Sequence, residues 1–448
     1  MRVLAHIGLV LLLAAPLPAQ ELPPSVVRDL AGKVEASRMN RTVTRLAGFG
    51  TRHTLSDPLG ETRGIGAARR WLAGEFQDLT RLPGSRVVPF EDPFPAGPGA
   101  MLPRRVELVN LGVLLPGVDP SRAREALVVA AHYDSRAQDP LDATADAPGA
   151  VDNASGVALV LEMATVMATE RPAVGIYFVA TAGGVQGNLG SARLASRLKA
   201  DGVDVIAMVA VDCVGNTAGL GGVKGDTGLR LFSEGTPAQE TEGERHLRDL
   251  LGAENDGPSR ALARYLKRMG EHYVENFEAE VMLRRGRIGA DGEHNTFARE
   301  GIPAVQVTEL VDNYERLHRN LRSDSGRNYG DTPAFFDPGY CAKIARMLVV
   351  GFRHLSFAPP APQNVGLGGC GTADAKLWWT LVPDPRIAGV VLYHRRGDQV
   401  QWQQTRTIPK AESQVLPGVG TDSDAFAVAT VDPQGDESLP VSPRSVAY

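Results

Sequence analysis

The sequence has 448 residues, of which 43% are hydrophobic and 22% charged, with a formal net charge of −5. A chain of this length is expected to form two or three domains of about 150 residues each, and its composition is typical of a globular protein. The small negative charge gives no electrostatic case for binding nucleic acid or an anionic membrane. Small molecules and other proteins are therefore the expected partners.

The N terminus has the pattern of a secretory signal peptide. Arg2 precedes an apolar stretch from Ile7 to Ala15, and the small residue Ala19 follows two nearby prolines. The apolar stretch is shorter than the about 20 residues that a membrane span needs. We predict cleavage after residues 1–19 and a secreted or periplasmic protein without a membrane span. An uncleaved N-terminal anchor is the alternative.

Residues 20–357 alternate short apolar runs with longer helical patterns, which is typical of an α/β domain with a mainly parallel sheet flanked by helices. Nearly continuous apolar runs predict central strands buried on both faces, at Ala126 to Ala130, Gly175 to Ala180 and Val205 to Val211. Helices are predicted at Gly156 to Ala168, Ser191 to Ala200, Ser259 to Met269 and from about Tyr340 to Leu355. Two charge-rich segments, Glu240 to Asp249 and Arg316 to Arg327, are predicted to be solvated faces.

A proline-rich segment, residues 358–362, predicts a linker, because proline fixes φ and removes a hydrogen-bond donor. Residues 363–448 then show short alternating strands separated by turn signals. This region resembles a fibronectin type III module through Trp378-Trp379, Val390 to Tyr393 and Asp424 to Asp432. Trp402 is predicted to be packed on a strand, with an exposed binding face as the alternative. A role in spacing or docking is expected for this β-sandwich.

The three cysteines, Cys213, Cys341 and Cys370, lie far apart in the sequence. An odd number cannot form a closed disulfide framework. We predict that they are small buried residues rather than nucleophiles or metal ligands.

Aspartate and histidine residues follow the ends of several apolar runs, where an α/β sheet usually presents its ligand crevice. They are His132, Asp134, Asp152, Asp212 and His294. Each has an ordinary structural explanation when taken alone. Asp152 suits a helix cap, Asp212 a turn and His294 the protein surface. The ordered set as a whole favours a metal site.

The surrounding segments resemble the zinc aminopeptidases of metallopeptidase family M28. They are Ala131 to Ser135, Ala147 to Gly156, Val211 to Asn216, Arg230 to Gly235, Pro258 to Arg260, and His294 through Phe297 to Val305. The resemblance spans roughly residues 40 to 355 and implies the fold of these enzymes. It also implies a site in which one aspartate bridges two zinc ions.

The resemblance implies a role for each of these five residues. Asp152 would be the bridge, His132 and Asp212 would hold the first ion, and His294 would help to hold the second. Asp134 would orient the imidazole of His132 from behind. Paired cations of this kind polarise a scissile carbonyl and activate water.

The sequence departs from the family where a Glu-Glu pair is expected. Alignment on Gln186-Gly187 and Gly190-Ser191 puts Gly184 at the catalytic base and Val185 at the remaining ligand of the second zinc. Neither side chain can take a proton or bind zinc. No intact catalytic base is therefore expected, and we predict one zinc ion rather than two. Glu293 and Glu309 are possible substitutes.

Three functions remain open from the sequence. The first is a degenerate member of the family, weakly active or non-catalytic, that binds the N termini of peptides or proteins. The second is an active zinc aminopeptidase with a substitute carboxylate. The third, a purely structural module, leaves the retained aspartates and histidines unexplained.

Overall fold

The computed structural model describes residues 24–447. The predicted signal peptide, residues 1–19, lies outside the described residues. Up to Phe357 the chain folds around one large mixed sheet, and the remainder forms two small sheets. The predicted α/β class is confirmed.

The large sheet has eight strands in the order β1-β2-β4-β3-β5-β8-β6-β7. Strands β4, β3, β5 and β8 are parallel and central, whereas β1 and β2 add an antiparallel edge. At the other edge, β6 runs antiparallel to β8 and parallel to β7. The strands are β1 (Val88–Ala96), β2 (Val106–Leu115), β3 (Glu125–His132), β4 (Gly175–Thr181), β5 (Asp204–Val211), β6 (Gly228–Ser233), β7 (Glu278–Met282) and β8 (Ala304–Glu309).

Helices cover both faces of this sheet. They are α1 (Pro24–Gly32), α2 (Ala36–Ala47), α3 (Gly64–Asp78), α4 (Ser155–Met167), α5 (Leu189–Ala200), α6 (Glu242–Leu251), α7 (Pro258–Tyr273), α8 (His294–Ala298) and α9 (Pro338–Phe357). Alternate residues of β3 enter different cores, because successive strand side chains point to opposite faces. Leu127 and Val129 join the large core with α4 and α9, and Val128 joins a smaller core with α5 and α8. The nearly continuous apolar strands in the sequence reflect this double burial.

The helical segment Ala150–Met167 is long and apolar enough to cross a membrane, but 94% of it is buried inside the protein. It packs between the sheet and helices α2 and α9. Its apolar character therefore matches a core helix of this domain. A two-stranded ribbon, β9 (Arg322–Asp324) and β10 (Arg327–Tyr329), lies on the loop between β8 and α9.

Residues 358–362 connect α9 to the C-terminal strands. These strands are β11 (Gln363–Gly368), β12 (Ala375–Thr380), β13 (Gly389–Arg396), β14 (Gln404–Pro409), β15 (Ser413–Leu416), β16 (Asp424–Val431) and β17 (Val446–Ala447). They form sheets of order β15-β12-β11-β17 and β14-β13-β16. Leu377 from one sheet and Leu392 from the other share one apolar core. The predicted β-sandwich region is thus built of strands, and its likeness to fibronectin type III modules stays a prediction.

Buried polar contacts dock the C-terminal strands onto α7 and α9. The carboxylate of Asp436 accepts hydrogen bonds from Arg353 at 3.0 and 3.2 Å and lies 3.0 Å from Nδ1 of His354. Asp256 pairs with Arg264 of α7 and Arg395 of β13. The C-terminal region is therefore held against the α/β domain by buried charges.

Trp402 is partly buried and packs against Tyr393, in agreement with its prediction. Cys213 and Cys341 are buried free thiols, as expected, whereas Cys370 is only partly buried.

Candidate metal centre

Three predicted residues meet at the carboxyl ends of the parallel strands. His132 is the last residue of β3, and Asp212 directly follows β5. Asp152 lies in the segment Ala150–Ala154, where non-helical dihedral angles at Asp152 and Asn153 interrupt the approach to α4. The sheet topology brings these three positions to one edge, as the sequence predicts.

The backbone around Asp152 is fixed by Asp331. The Asp331 carboxylate accepts hydrogen bonds from the N–H groups of Val151, at 2.9 Å, and Asp152, at 2.7 Å. Burial raises the pKa of Asp331 to about 6, although these two N–H groups oppose the rise. Ser155 donates to the carbonyl of Val151 at 2.6 Å. These bonds hold Asp152 facing His132.

The ligand atoms converge closely enough to bind one ion. Nε2 of His132 lies 3.5 Å from Oδ1 of Asp152 and 3.8 Å from Oδ1 of Asp212. One ligand atom from each residue lies within 4.8 Å of the others. An imidazole nitrogen and two carboxylate oxygens are donors that zinc accepts, and three protein ligands leave one tetrahedral position open. The residues present therefore fit a zinc ion.

Asp134 lies behind His132, as predicted, and its carboxylate also binds the loop after β4. Nδ1 of His132 is 3.2 Å from the Asp134 carbonyl and 3.7 Å from Oδ1. The carboxylate accepts hydrogen bonds from the N–H groups of Gly184, at 2.9 Å, and Val185, at 3.0 Å. Burial alone would raise the pKa of Asp134, but His132 and the two N–H groups lower it. Asp134 thus joins the imidazole to the loop after β4.

Two residues that sequence reasoning missed orient Asp212. Gln306 donates to Oδ2 of Asp212 at 2.7 Å, and Nη1 of Arg287 lies 3.8 Å from the same oxygen. The other carboxylate oxygen of Asp212, Oδ1, faces His132. Arg287 also pairs with Asp312 at 2.9 Å. Neither residue stands in a motif that sequence spacing could reveal.

His318 also contacts Asp152, although it was not among the predicted site residues. It was missed because its segment, Arg316 to Arg327, was predicted to be a solvated face. Its Nε2 lies 2.6 Å from Oδ2 of Asp152, and its Nδ1 lies 2.9 Å from Nη2 of Arg136. A guanidinium group can only donate, so Nδ1 accepts. Neutral His318 then carries its proton on Nε2, facing Asp152. A histidine inside a run of arginines was the available sequence signal.

The structure does not bring His294 into the group formed by His132, Asp152 and Asp212. His294 begins α8, and its Nε2 lies 2.6 Å from the carbonyl of Arg285. Burial lowers the pKa of His294 to about 4. The ring is directed to the loop before α8, and the histidine that lies beside Asp152 is His318.

Comparisons with solved structures agree with the overall fold. The Legionella pneumophila aminopeptidase LapA has a similar fold, with a TM-score of 0.51 and 19% identity over 72% of this chain and 73% of LapA. LapB from the same organism gives a TM-score of 0.51 with 18% identity, covering 75% of this chain and 76% of LapB. At this level of identity the likeness concerns the fold alone.

The sequence profile described as peptidase family M28 matches residues 110–334. A probable zinc metalloprotease of Leptosphaeria maculans is 31% identical over 96% of this chain and 98% of its own length. The chain belongs to peptidase family M28. A probable zinc metalloprotease of Pyricularia oryzae is 35% identical over 86% of this chain and 76% of its own length. The family resemblance found in the sequence is confirmed, and zinc is the metal that residues and relatives support.

In this M28 chain the loop backbone at Gly184 lies against His132, in the space that the side chain of the expected catalytic base would occupy. A Cβ atom built on Gly184 overlaps the Cβ and Cγ atoms of His132. These atoms belong to the rigid base of the side chain, so they cannot move aside easily. Glycine at 184 is therefore matched to the present position of the loop, and any larger residue requires the loop to retreat from His132. Val185 is half-buried beside it.

The two proposed substitute carboxylates have different surroundings in this M28 chain. Glu293 is 3% exposed, bonds to the hydroxyl of Thr181 and leaves Oε2 buried without a hydrogen bond. Thr181 is the β4 residue that pairs with His132 of β3, so Glu293 lies beside the metal group. Burial raises the pKa of Glu293 to about 7, against the opposing charge of His132.

Glu309 is directed away from His132. Its Oε2 accepts hydrogen bonds from the N–H groups of Gly215, at 3.3 Å, and Asn216, at 2.8 Å. Burial raises the pKa of Glu309 well above its usual value. Of the two glutamates, Glu293 is the one bonded to the strand residue that pairs with His132.

Proposed function

We propose that this protein is a single-zinc member of peptidase family M28 that binds peptides at its metal centre and hydrolyses them slowly. The convergence of His132, Asp152 and Asp212, with no oxygen ligand on residues 184 and 185, carries the proposal. A peptide amino terminus is the ligand that family resemblance favours. The N-terminal pattern of residues 1–19 supports export to the periplasm or the medium.

The charges around the centre support one ion rather than two. The two missing glutamates would carry two negative charges, which equal the charge of one Zn²⁺ ion. His318 supports the same number. Its Nε2 would bind a second ion only after losing a proton, and Nδ1 would then carry a proton towards Arg136. Two facing donors repel, so a second ion requires Arg136 to move.

The remaining residues account for slow hydrolysis. A bound zinc ion would act as a Lewis acid on a scissile carbonyl. His132, Asp152 and Asp212 would hold it, and Asp134, Gln306 and Arg287 would orient those ligands. Gly184 offers no group to take a proton from the attacking water. Loss of a general base lowers the rate about 10²- to 10⁴-fold.

Zinc stoichiometry on purified mature protein tests the proposal. We expect one zinc per chain by elemental analysis after loading and buffer exchange. Val185→Glu supplies the missing carboxylate and should gain a second equivalent, with Arg136 moving away from His318. Val185→Gln, which has a similar size and no charge, should keep one. Gly184→Glu is a poor probe because it would collide with His132. Two zinc ions in the unaltered protein would refute the single-ion site. A protein that contains no zinc after loading would refute the metal centre.

A second candidate function, an active aminopeptidase with Glu293 as substitute base, is favoured by the unpaired oxygen of that residue. An ionised carboxylate beside His132 could accept the proton that no residue at 184 can accept. Glu293→Gln should then lower kcat on an aminoacyl amide about 10²- to 10⁴-fold with zinc content unchanged. Glu309→Gln replaces an equally buried glutamate elsewhere and serves as the matched control.

The pH profile separates this role from a structural one. Burial raises the pKa of Glu293 to about 7, and a base must be ionised, so turnover should fall as the pH drops through that pKa. A bound cation nearby would favour the ionised form, which places this decline at or below pH 7. The residual turnover of Glu293→Gln should not show this fall at acidic pH. Equal effects of the Glu293 and Glu309 substitutions would refute the role.

A further inference from the structure

Arg136 is a half-buried arginine without a carboxylate partner among residues 24–447. It lies on the loop that follows β3, four residues after the metal ligand His132. Nη2 contacts Nδ1 of His318 at 2.9 Å, and Nη1 donates to the carbonyl of Gln138 at 3.4 Å. A guanidinium group has five N–H donors. Three of them are therefore left for a ligand.

His318 and Arg136 lie together on the most exposed side of the candidate metal centre. The side chains of His132 and Asp152 are 8% and 7% exposed, whereas that of His318 is 38% exposed. His318 bridges Arg136 and Asp152, so the solvent-facing side of the centre carries the guanidinium group. A ligand that enters on the His318 side lies against this pair, whereas the side chain of Asp212, at 20% exposed, is less open to solvent.

The acidic side chains around the centre each have at least one partner already. Asp312 pairs with both Arg230 and Arg287. Asp331 and Glu309 accept backbone hydrogen bonds, and Glu293 is bonded to Thr181. Oxygens without a hydrogen bond remain on Glu293 and Glu309, but both residues are buried, so an ammonium group would have to leave water to reach them. An incoming carboxylate meets an arginine that forms no ion pair with a carboxylate of residues 24–447 and feels only the more distant charge of Asp152.

We propose that Arg136 selects peptides that present a carboxylate beside the metal centre. The fork of a guanidinium group matches a carboxylate with two parallel hydrogen bonds. The carboxylate belongs either to an acidic N-terminal side chain or to a free C terminus. The inference rests on peptide binding at the single-zinc centre and adds the class of peptide.

Four short peptides measure the preference and separate the two sources. Glu-Ala-amide has an acidic first residue and a blocked C terminus, and Gln-Ala-amide is its neutral counterpart. N-acetyl-Ala-Ala has a free C terminus, and N-acetyl-Ala-Ala-amide is its neutral counterpart. Isothermal titration calorimetry on the zinc-loaded full chain should show one acidic peptide binding about 10- to 100-fold more tightly than its counterpart.

Substitution of the arginine identifies its contribution. Arg136→Gln should remove the preference while zinc content stays at one per chain, and Arg136→Lys should retain part of it. Arg171→Gln is the matched control, because Arg171 is exposed and precedes β4 at the opposite end of the sheet. It should leave the preference unchanged.

Two results of these titrations would contradict the role of Arg136. Equal affinity for acidic and neutral peptides in the unaltered protein overturns the inference, as does a preference that survives in Arg136→Gln. In both cases peptide and zinc binding would still support the proposed function. If none of the four peptides binds the zinc-loaded protein, peptide binding at this centre and the inference both fail.

Discussion

Replacing Asp152 with asparagine is expected to weaken zinc binding by more than about 100-fold. Loss of a residue that merely orients a metal ligand costs about 10- to 100-fold in metal affinity, and Asp152 is placed to be a ligand itself. Its Oδ1 lies 3.5 Å from Nε2 of His132, at the centre of the only such group in the described residues. Asparagine keeps the shape and removes the charge. A competition titration with a zinc-sensitive dye would measure the change.

Asp139→Asn is the control for this experiment. Asp139 is exposed on the loop after β3, so its substitution changes net charge equally without touching the metal group. We expect its zinc affinity to match that of the unaltered protein. An unchanged affinity in Asp152→Asn would show that the ion binds elsewhere.

Replacing Asp436 with asparagine is expected to lower the free energy of unfolding by about 3–5 kcal/mol, the usual cost of breaking a buried ion pair from one side. The Asp436 side chain is 2% exposed and pairs with Arg353, whose side chain is 10% exposed. The guanidinium group would remain buried, with Glu170 as its nearest other carboxylate at 3.8 Å. Calorimetric unfolding and chemical denaturation would measure the loss.

The matched control is Asp398→Asn. Asp398 forms a 3.7 Å ion pair with Arg396 in which both side chains are more than half exposed. Exposed pairs contribute about 0–1 kcal/mol, so this variant should unfold almost as the unaltered protein does. Equal stability of the Asp436 and Asp398 variants would show that the docking of the C-terminal region does not depend on buried charge.

Much of the α/β domain could be predicted from local patterns. The apolar runs of β3, β4 and β5 mark strands whose two faces are both covered, and each lies within about two residues of its predicted bounds. The helix after Asp152 and the long helix α9 also follow from their apolar periodicity. These features depend on residues close together in the chain, so sequence contains their physical cause.

The metal group was predicted in part. His132, Asp152 and Asp212 each stand at a strand end or beside a helix start, and the sheet topology brings such positions together. His318 has no such marker. It lies on a long loop between β8 and α9, within a segment rich in arginine, and only the path of that loop brings it to Asp152.

The boundary before the C-terminal strands could also be predicted only in part. The proline-rich segment and the change to short strands could be seen in the sequence. The pairing of Asp436 with Arg353 and His354 could not, because these residues are 82 and 83 positions apart and belong to regions of different structure.

The sequence by itself determined the family, the α/β class, the three residues of the candidate metal group and the absence of carboxylates at residues 184 and 185. The tertiary structure alone decided that His318 rather than His294 faces Asp152, that Glu293 bonds beside His132 whereas Glu309 bonds to the loop after β5, and that Arg136 forms no ion pair with a carboxylate of residues 24–447. The physical reason is the range of the interactions. Periodicity and strand ends are set by neighbouring residues, whereas ion pairs and hydrogen bonds between loops depend on how distant segments meet.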